Sequence, residues 1–106
     1  MTAVNRGEVW WVETDYGDKP YLVVSNMHRN RNLGTVLAAR ITTSPNPPDI
    51  DSIVPIEHQG TIVGRVLCDE IVLVSKSDLK RRASNAFTRH QMQKVCEGLN
   101  AALACS

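Results

Sequence analysis

Hydrophobic residues come in short bursts, alternating or fully apolar and divided by polar turns, until a helical spacing of three and four takes over at the C-terminal end. Gly7 to Thr14 (GEVWWVET) is rich in β-branched and aromatic residues and runs into Asp15-Tyr16-Gly17-Asp18, which predicts a strand and a turn. Pro20 to Asn26 has a fully apolar centre and predicts a second strand, buried on both faces. Met27 to Gly34 is polar, and predicts a loop or a single helical turn. Thr35 to Thr43 alternates: Leu37, Ala39 and Ile41 share one face, and Ala38, Arg40 and Thr42 share the other. Ser44 to Asp49 (SPNPPD) cannot continue a central strand, because its prolines lack amide donors, so it predicts a turn or exposed loop.

Asp51 to Ile56 and Thr61 to Val74 predict two further strands joined through His58-Gln59-Gly60, the second long enough to bend near Asp69-Glu70. Ser77 to Arg82 predicts a short helical turn, and Ala83 to Phe87 a brief extended stretch. Thr88 and Gln91 then form a capping-box pattern, with Phe87 placed to staple onto Met92. Behind them Met92, Val95, Cys96, Leu99, Ala102 and Leu103 make one helical stripe, to be buried on a sheet or a partner subunit. Five or six short strands and one C-terminal helix predict a mainly β fold, a small and strongly bent antiparallel barrel or half-barrel. With no internal repeat or linker, residues 1–106 read as one domain.

Composition narrows the class. At 42% hydrophobic and 22% charged the chain is of globular type. Its longest apolar run, Ala101 to Cys105, is far short of the roughly 20 residues of a membrane-spanning helix, and no basic-then-apolar leader opens it. Cys68, Cys96 and Cys105 are odd in number and lack C-x-x-C spacing, which argues against disulfides or structural zinc and predicts a reducing, cytoplasmic setting. A net charge of +1 excludes a polybasic DNA packager. Yet residues 19 to 48 carry Lys19, Arg29, Arg31 and Arg40, with His28, and no Asp or Glu: a strip suited to phosphate-rich partners, or a solvated face paired with nearby acids.

P-loop, Rossmann glycine and nucleophile-elbow motifs are absent. His28, His58 and His90 have no metal-ligand spacing, and His58 and His90 read as surface residues of a hairpin and a helix cap. Cys68 reads as core. Trp10 and Trp11 face opposite sides of their strand, one for the core, the other for packing, a dimer contact or base stacking.

Four blocks in order, Arg6-Gly7-Glu8-Val9-Trp10, Lys19-Pro20-Tyr21-Leu22-Val23-Val24-Ser25-Asn26, Ala38-Ala39-Arg40-Ile41-Thr42-Thr43 and Val66-Leu67-Cys68-Asp69-Glu70-Ile71, resemble the MazF/PemK family of toxin endoribonucleases. Actinobacterial members are most similar, through Tyr16-Gly17-Asp18-Lys19-Pro20. The resemblance implies an SH3-like barrel of the PemK/CcdB type in a homodimer. It also implies metal-independent, cofactor-free cleavage of single-stranded RNA, and neutralisation by a cognate MazE-like antitoxin. Attack of a 2′-hydroxyl on the adjacent phosphorus would leave a 2′,3′-cyclic phosphate and a 5′-hydroxyl.

Its catalytic pair falls on Lys19 and Thr42, with Lys19 where the family has Arg, a compact ammonium in place of a planar fork. Lys19 would neutralise charge, and Thr42 would donate to a non-bridging oxygen. Arg29, Arg31, Arg40, Asn26 and Glu70 are the RNA-binding candidates. The base is not identified: Asp15 or Asp18 could serve, or both are solvated turn residues, in a first loop shorter than in many relatives. Glu70 stands where a Gln is common, and a carboxylate there favours a base donor such as cytosine N4 over a phosphate. A non-catalytic nucleic-acid- or protein-binding barrel and a gyrase poison of the CcdB type are the alternatives.

Overall fold

The computed structural model describes residues 3–44 and 48–103. Cys105 and two of the loop prolines, Pro45 and Pro47, lie outside them, while Ser44, Pro48 and Asp49 are exposed and belong to no strand. The order along the chain is β1 (Val9–Thr14), β2 (Gly17–Val23), α1 (Met27–Asn32), β3 (Thr35–Thr42), β4 (Ile53–His58), β5 (Thr61–Ser75), a 3-10 turn (Lys76–Asp78), β6 (Leu79–Arg82) and α2 (Arg89–Leu103). The strands form one antiparallel sheet in the order β4-β5-β3-β2-β1-β6, the mainly β architecture with a C-terminal helix that the patterning predicts.

Several boundaries differ from the patterning: β4 runs Ile53–His58 rather than Asp51 to Ile56 and takes in His58, and β2 stops at Val23 rather than Asn26. β2 begins at Gly17, three residues before the apolar run, because pairing with β1 from Thr14↔Gly17 onward carries Asp18 and Lys19 into the ladder. The segment expected as a helical turn is helical only at Lys76–Asp78; Leu79–Arg82 is an edge strand on β1, and Ala83 to Phe87 is tied to Val9 and Gly7 by backbone hydrogen bonds without joining the sheet. Gln59 and Gly60 both take positive φ in the β4–β5 connection, as a tight type I′ hairpin requires.

The bend expected near Asp69-Glu70 is a bulge. β3 pairs Ala39 with Ile71 and then Arg40 with Leu67, so Cys68, Asp69 and Glu70 have no partner on β3. Three is an odd number, and an odd insertion turns a strand over. Val66 and Cys68 therefore pack under α2 with Leu22, Ala39, Met92 and Val95, whereas Val74 packs on the other face with Trp10, Val12, Val23, Val36 and Ala38. One sheet thereby serves two cores.

The capping box forms as predicted: Thr88 N–H donates to Gln91 Oε1 at 2.8 Å and Gln91 N–H to Thr88 Oγ1 at 3.1 Å. Met92 and Val95 are buried on the chain's own sheet, with Phe87 and Leu99 beside them. Cys96, expected on this stripe, is instead exposed, where the Arg6 guanidinium donates to its Sγ at 3.1 Å. Its place is taken by Gly98, where an added Cβ would lie 2.5 Å from Val54 Cγ2 and 2.9 Å from Cys68 Sγ. Gly98→Ala should lower stability by about 1 kcal/mol, because overpacking of about 1–3 kcal/mol outweighs a helix-propensity gain of about 1 kcal/mol. Urea unfolding checks this; a raised midpoint would contradict the close approach.

Glu8 is a buried carboxylate that ties the N-terminal segment to β1 and β6. It accepts from Asn5 N–H (2.8 Å), Asn5 Nδ2 (3.2 Å), Trp10 Nε1 (3.2 Å) and Arg82 Nη1 (3.1 Å). Burial pushes its pKa up, but these hydrogen bonds outweigh burial and the net shift is downward. A depressed folded value means that its stabilisation is complete above the unfolded-state value near 4.5 and is lost as pH falls through the folded one. Glu8→Gln should cost about 1–3 kcal/mol at pH 7 and flatten the acid limb of a stability-versus-pH curve measured by urea unfolding.

Candidate functional site

β1 and β2 join through a tight turn at Asp15-Tyr16, closed by Gly17 at φ +94°. The Thr14 hydroxyl donates to Gly17 O (2.5 Å) and accepts from Tyr16 N–H (3.2 Å), which fixes the tip of the hairpin. Beneath that tip lies an open hollow of about 590 Å³, lined by Thr14, Asp15, Tyr16, Lys19, Tyr21 and Arg40.

The β2–β3 ladder ends at Tyr21↔Arg40. Carried on by two residues, the same register puts Lys19 across from Thr42, where the two strands have parted. Paired positions on neighbouring strands share a face. Leu67, Arg40 and Tyr21 thus form a row across β5, β3 and β2, on the face that holds Trp10 and Val12 further in. The site is the outer rim of that core.

Arg40 is the shared wall between this hollow and a second one, of about 380 Å³, that contains Thr42, Asp69 and Glu70. Its Nη1 lies 3.7 Å from Glu70 Oε2, both side chains about half exposed, a pair that contributes little to stability. Thr42 Oγ1 accepts the Ser44 N–H at 3.1 Å. The hydroxyl donates to no acceptor among the described residues, which leaves its proton for a ligand. Lys19 has no ion-pair partner among the described residues, so its charge is open to a ligand.

Of the predicted residues, Lys19 and Asp15 line the first hollow, Thr42 and Glu70 the second, and Arg40 both. Asp18 does not line the hollow. Arg29 and Arg31 sit on α1 and Asn26 at its N-cap, beyond the far end of β2, roughly 13 Å of strand past Lys19 at about 3.3 Å per residue. Each has structural surroundings there. Asn26 caps α1 by accepting from Arg29 N–H, Arg29 donates to Thr35 O and Oγ1, and Arg31 lines a small cleft with Lys76.

Arg65, which patterning passed over, pairs with Thr42 across the β3–β5 ladder and has no ion-pair partner among the described residues. It is half-buried on the Thr42 face. Only its even spacing from Leu67 and Asp69 signals that position in the sequence. His58 and His90 are exposed and apart from the site. Trp10 is core, while the Trp11 ring carries the Arg81 guanidinium 5.1 Å from its centroid. Burial, with Asp69 and Cys96 nearby, pushes the Cys68 thiol up to about 11, an unreactive core cysteine.

No helix among the described residues is long and apolar enough to cross a membrane. The model of the PemK-like, MazF-like toxins of type II toxin-antitoxin systems matches residues 5–103. Endoribonuclease MazF1 of Mycobacterium bovis and endoribonuclease MazF4 of Mycobacterium tuberculosis are each 37% identical over 79 residues, 74% of this chain and 73% of theirs. A mycobacterial endoribonuclease solved in complex with its cognate antitoxin superposes with a TM-score of 0.87 at 33% identity, over 98% of both chains. The MazE–MazF structure from Deinococcus radiodurans, at 20% identity and a TM-score of 0.80 over the whole of both chains, shows the fold alone. With its rim residues carried on the sheet that those relatives share, the chain belongs to the family of PemK-like, MazF-like toxins of type II toxin-antitoxin systems.

Proposed function

We propose that this protein is a toxin endoribonuclease that cuts single-stranded RNA at short sequences by transesterification, with Lys19 and Thr42 as the catalytic pair. The observation that carries the reading is Arg40, which lines the Lys19 hollow and the Thr42 hollow alike, with Lys19 unpaired and the Thr42 hydroxyl donating to nothing among the described residues. In the reaction the 2′-oxygen forms a bond to phosphorus as the bond to the 5′-oxygen breaks. Charge builds on the non-bridging oxygens in between, and preorganised donors lower that barrier most. Thr42 Oγ1 donates to one such oxygen, Lys19 neutralises the charge and supplies the proton for the departing 5′-oxygen, and Arg40 and Arg65 hold flanking phosphates.

Asp15, the carboxylate that lines the Lys19 hollow, takes the 2′-hydroxyl proton in this scheme. Nothing in it calls for a metal or cofactor. The same reading has residues 1–106 act as one domain in the cytoplasm, as a homodimer neutralised by a MazE-like antitoxin. Exposed Val63 and Leu73 on β5 support an association surface. Arg29, Arg31 and Asn26, at the far end of β2, are left for RNA that extends beyond the cut. Incubation with a long single-stranded RNA, its duplex and the same sequence as DNA tests the proposal: discrete fragments from single-stranded RNA alone are expected. RNA bound in a salt-sensitive way but left intact would favour a binding module, and altered supercoiling with intact RNA a gyrase poison.

A further inference from the structure

The second hollow is built unlike the first. Ile50, Ile53 and Leu67 give it apolar walls, and Ile50 stays 48% exposed. Asp69 and Glu70 stand at its side, presented by the bulge that leaves them without partners on β3. Bulges beside active sites re-aim side chains, and this one turns two successive carboxylates out at the edge of the Thr42 rim. Glu70 is shared with Arg40; Asp69 has neither an ion pair nor a hydrogen bond among the described residues.

Beyond its Arg40–Thr42 edge this hollow does not suit a phosphate, because two carboxylates would repel it and the apolar walls offer it nothing. A flat, partly apolar ring with hydrogen-bond donors on its edge does. Single-stranded RNA presents such rings unpaired, with their Watson–Crick edges open to side chains. An ionised carboxylate only accepts, so it discriminates among bases by their donors. Cytosine, adenine and guanine each carry an exocyclic amine, whereas uracil offers carbonyl oxygens in the corresponding places and a single ring N–H between them.

Resting on the endoribonuclease reading, we infer that this hollow seats the base next to the scissile phosphate, and that Asp69 and Glu70 make it select an amine-bearing base and reject uracil. A backbone held at Arg40 and Thr42 delivers the adjoining base into the same hollow, since both residues line it.

Cleavage of a pool of single-stranded RNAs, randomised around a mapped cut, tests the inference when each base at each flanking position is scored for wild type, Asp69→Asn, Glu70→Gln and the double variant. At one flanking position uracil should be cut roughly tenfold less than the best amine-bearing base. In the double variant, whose amides can also donate to uracil, that ratio should fall below about threefold. Because the ratio is internal to each variant, it does not depend on the folded fraction. Asp69→Asn leaves Arg40 with its Glu70 partner and separates base reading from phosphate binding. Uracil accepted equally at every flanking position, or rejected to the same degree in the double variant, would overturn the inference while leaving the nuclease reading intact. A wild-type protein that cuts no RNA would overturn both.

Discussion

Thr42→Ala should lower the single-turnover rate of RNA cleavage by about two to three orders of magnitude, as loss of one preorganised donor to a developing oxyanion does elsewhere. The loss should fall on the rate of the bound complex more than on affinity, because the hydroxyl bond strengthens only as charge builds on the phosphorane. Thr42 is half-exposed at the end of β3, and among the described residues its side chain makes one hydrogen bond, to Ser44 N–H. The thermal midpoint should therefore shift by no more than a few degrees. Thr42→Ser keeps the hydroxyl and should retain most of the rate. Single-turnover kinetics over a range of protein concentrations checks the rates and the affinity, thermal unfolding checks the midpoint, and equal losses in Thr42→Ser and Thr42→Ala would remove the hydroxyl from the mechanism.

Lys19→Ala is the second large effect, because it removes the charge that faces the phosphorane. A loss of about two to four orders of magnitude in rate is expected, together with a fall of about one in the slope of log affinity against log salt. Lys19→Arg keeps the charge and adds a fork that can hold two phosphate oxygens, but it yields a proton less readily. Recovery to within about tenfold of wild type would show that charge dominates. Failure of the arginine variant to recover, with RNA affinity restored, would mark proton delivery to the 5′-oxygen as the larger part of the role.

Much of this site was legible in the sequence because β3 keeps strict alternation. Ala38, Arg40 and Thr42 share a face in the ladder as they do in the pattern, whereas Lys19 was legible only through the family resemblance, since its place across from Thr42 follows from the β2–β3 register and not from a local pattern. The capping box at Thr88 was legible because its contacts span only three residues. Long-range pairing hid the rest. Leu79–Arg82 holds good helix formers, yet pairing with β1 makes it a strand. Arg65 meets Thr42 only through a ladder interrupted by the bulge, and no linear pattern reports the register beyond such an interruption. A count of charges along residues 19 to 48 could not reveal that Arg29 is held by Thr35 or that α1 lies past the far end of β2. Cys96 yields its place on the buried stripe because α2 approaches Val54 and Cys68 through Gly98, a contact at which only the missing side chain fits.

The central claim is that the Lys19–Thr42 rim performs transesterification on RNA, and identification of the product ends tests it most directly. Purified protein, Lys19→Ala and Thr42→Ala should each be incubated with one long single-stranded RNA in EDTA, and both new ends of every fragment identified. The account predicts discrete cuts with 2′,3′-cyclic phosphate and 5′-hydroxyl ends for the wild type, and loss of those cuts in both variants. Intact RNA, ends bearing a 5′-phosphate, or the same cuts surviving in both variants would contradict it.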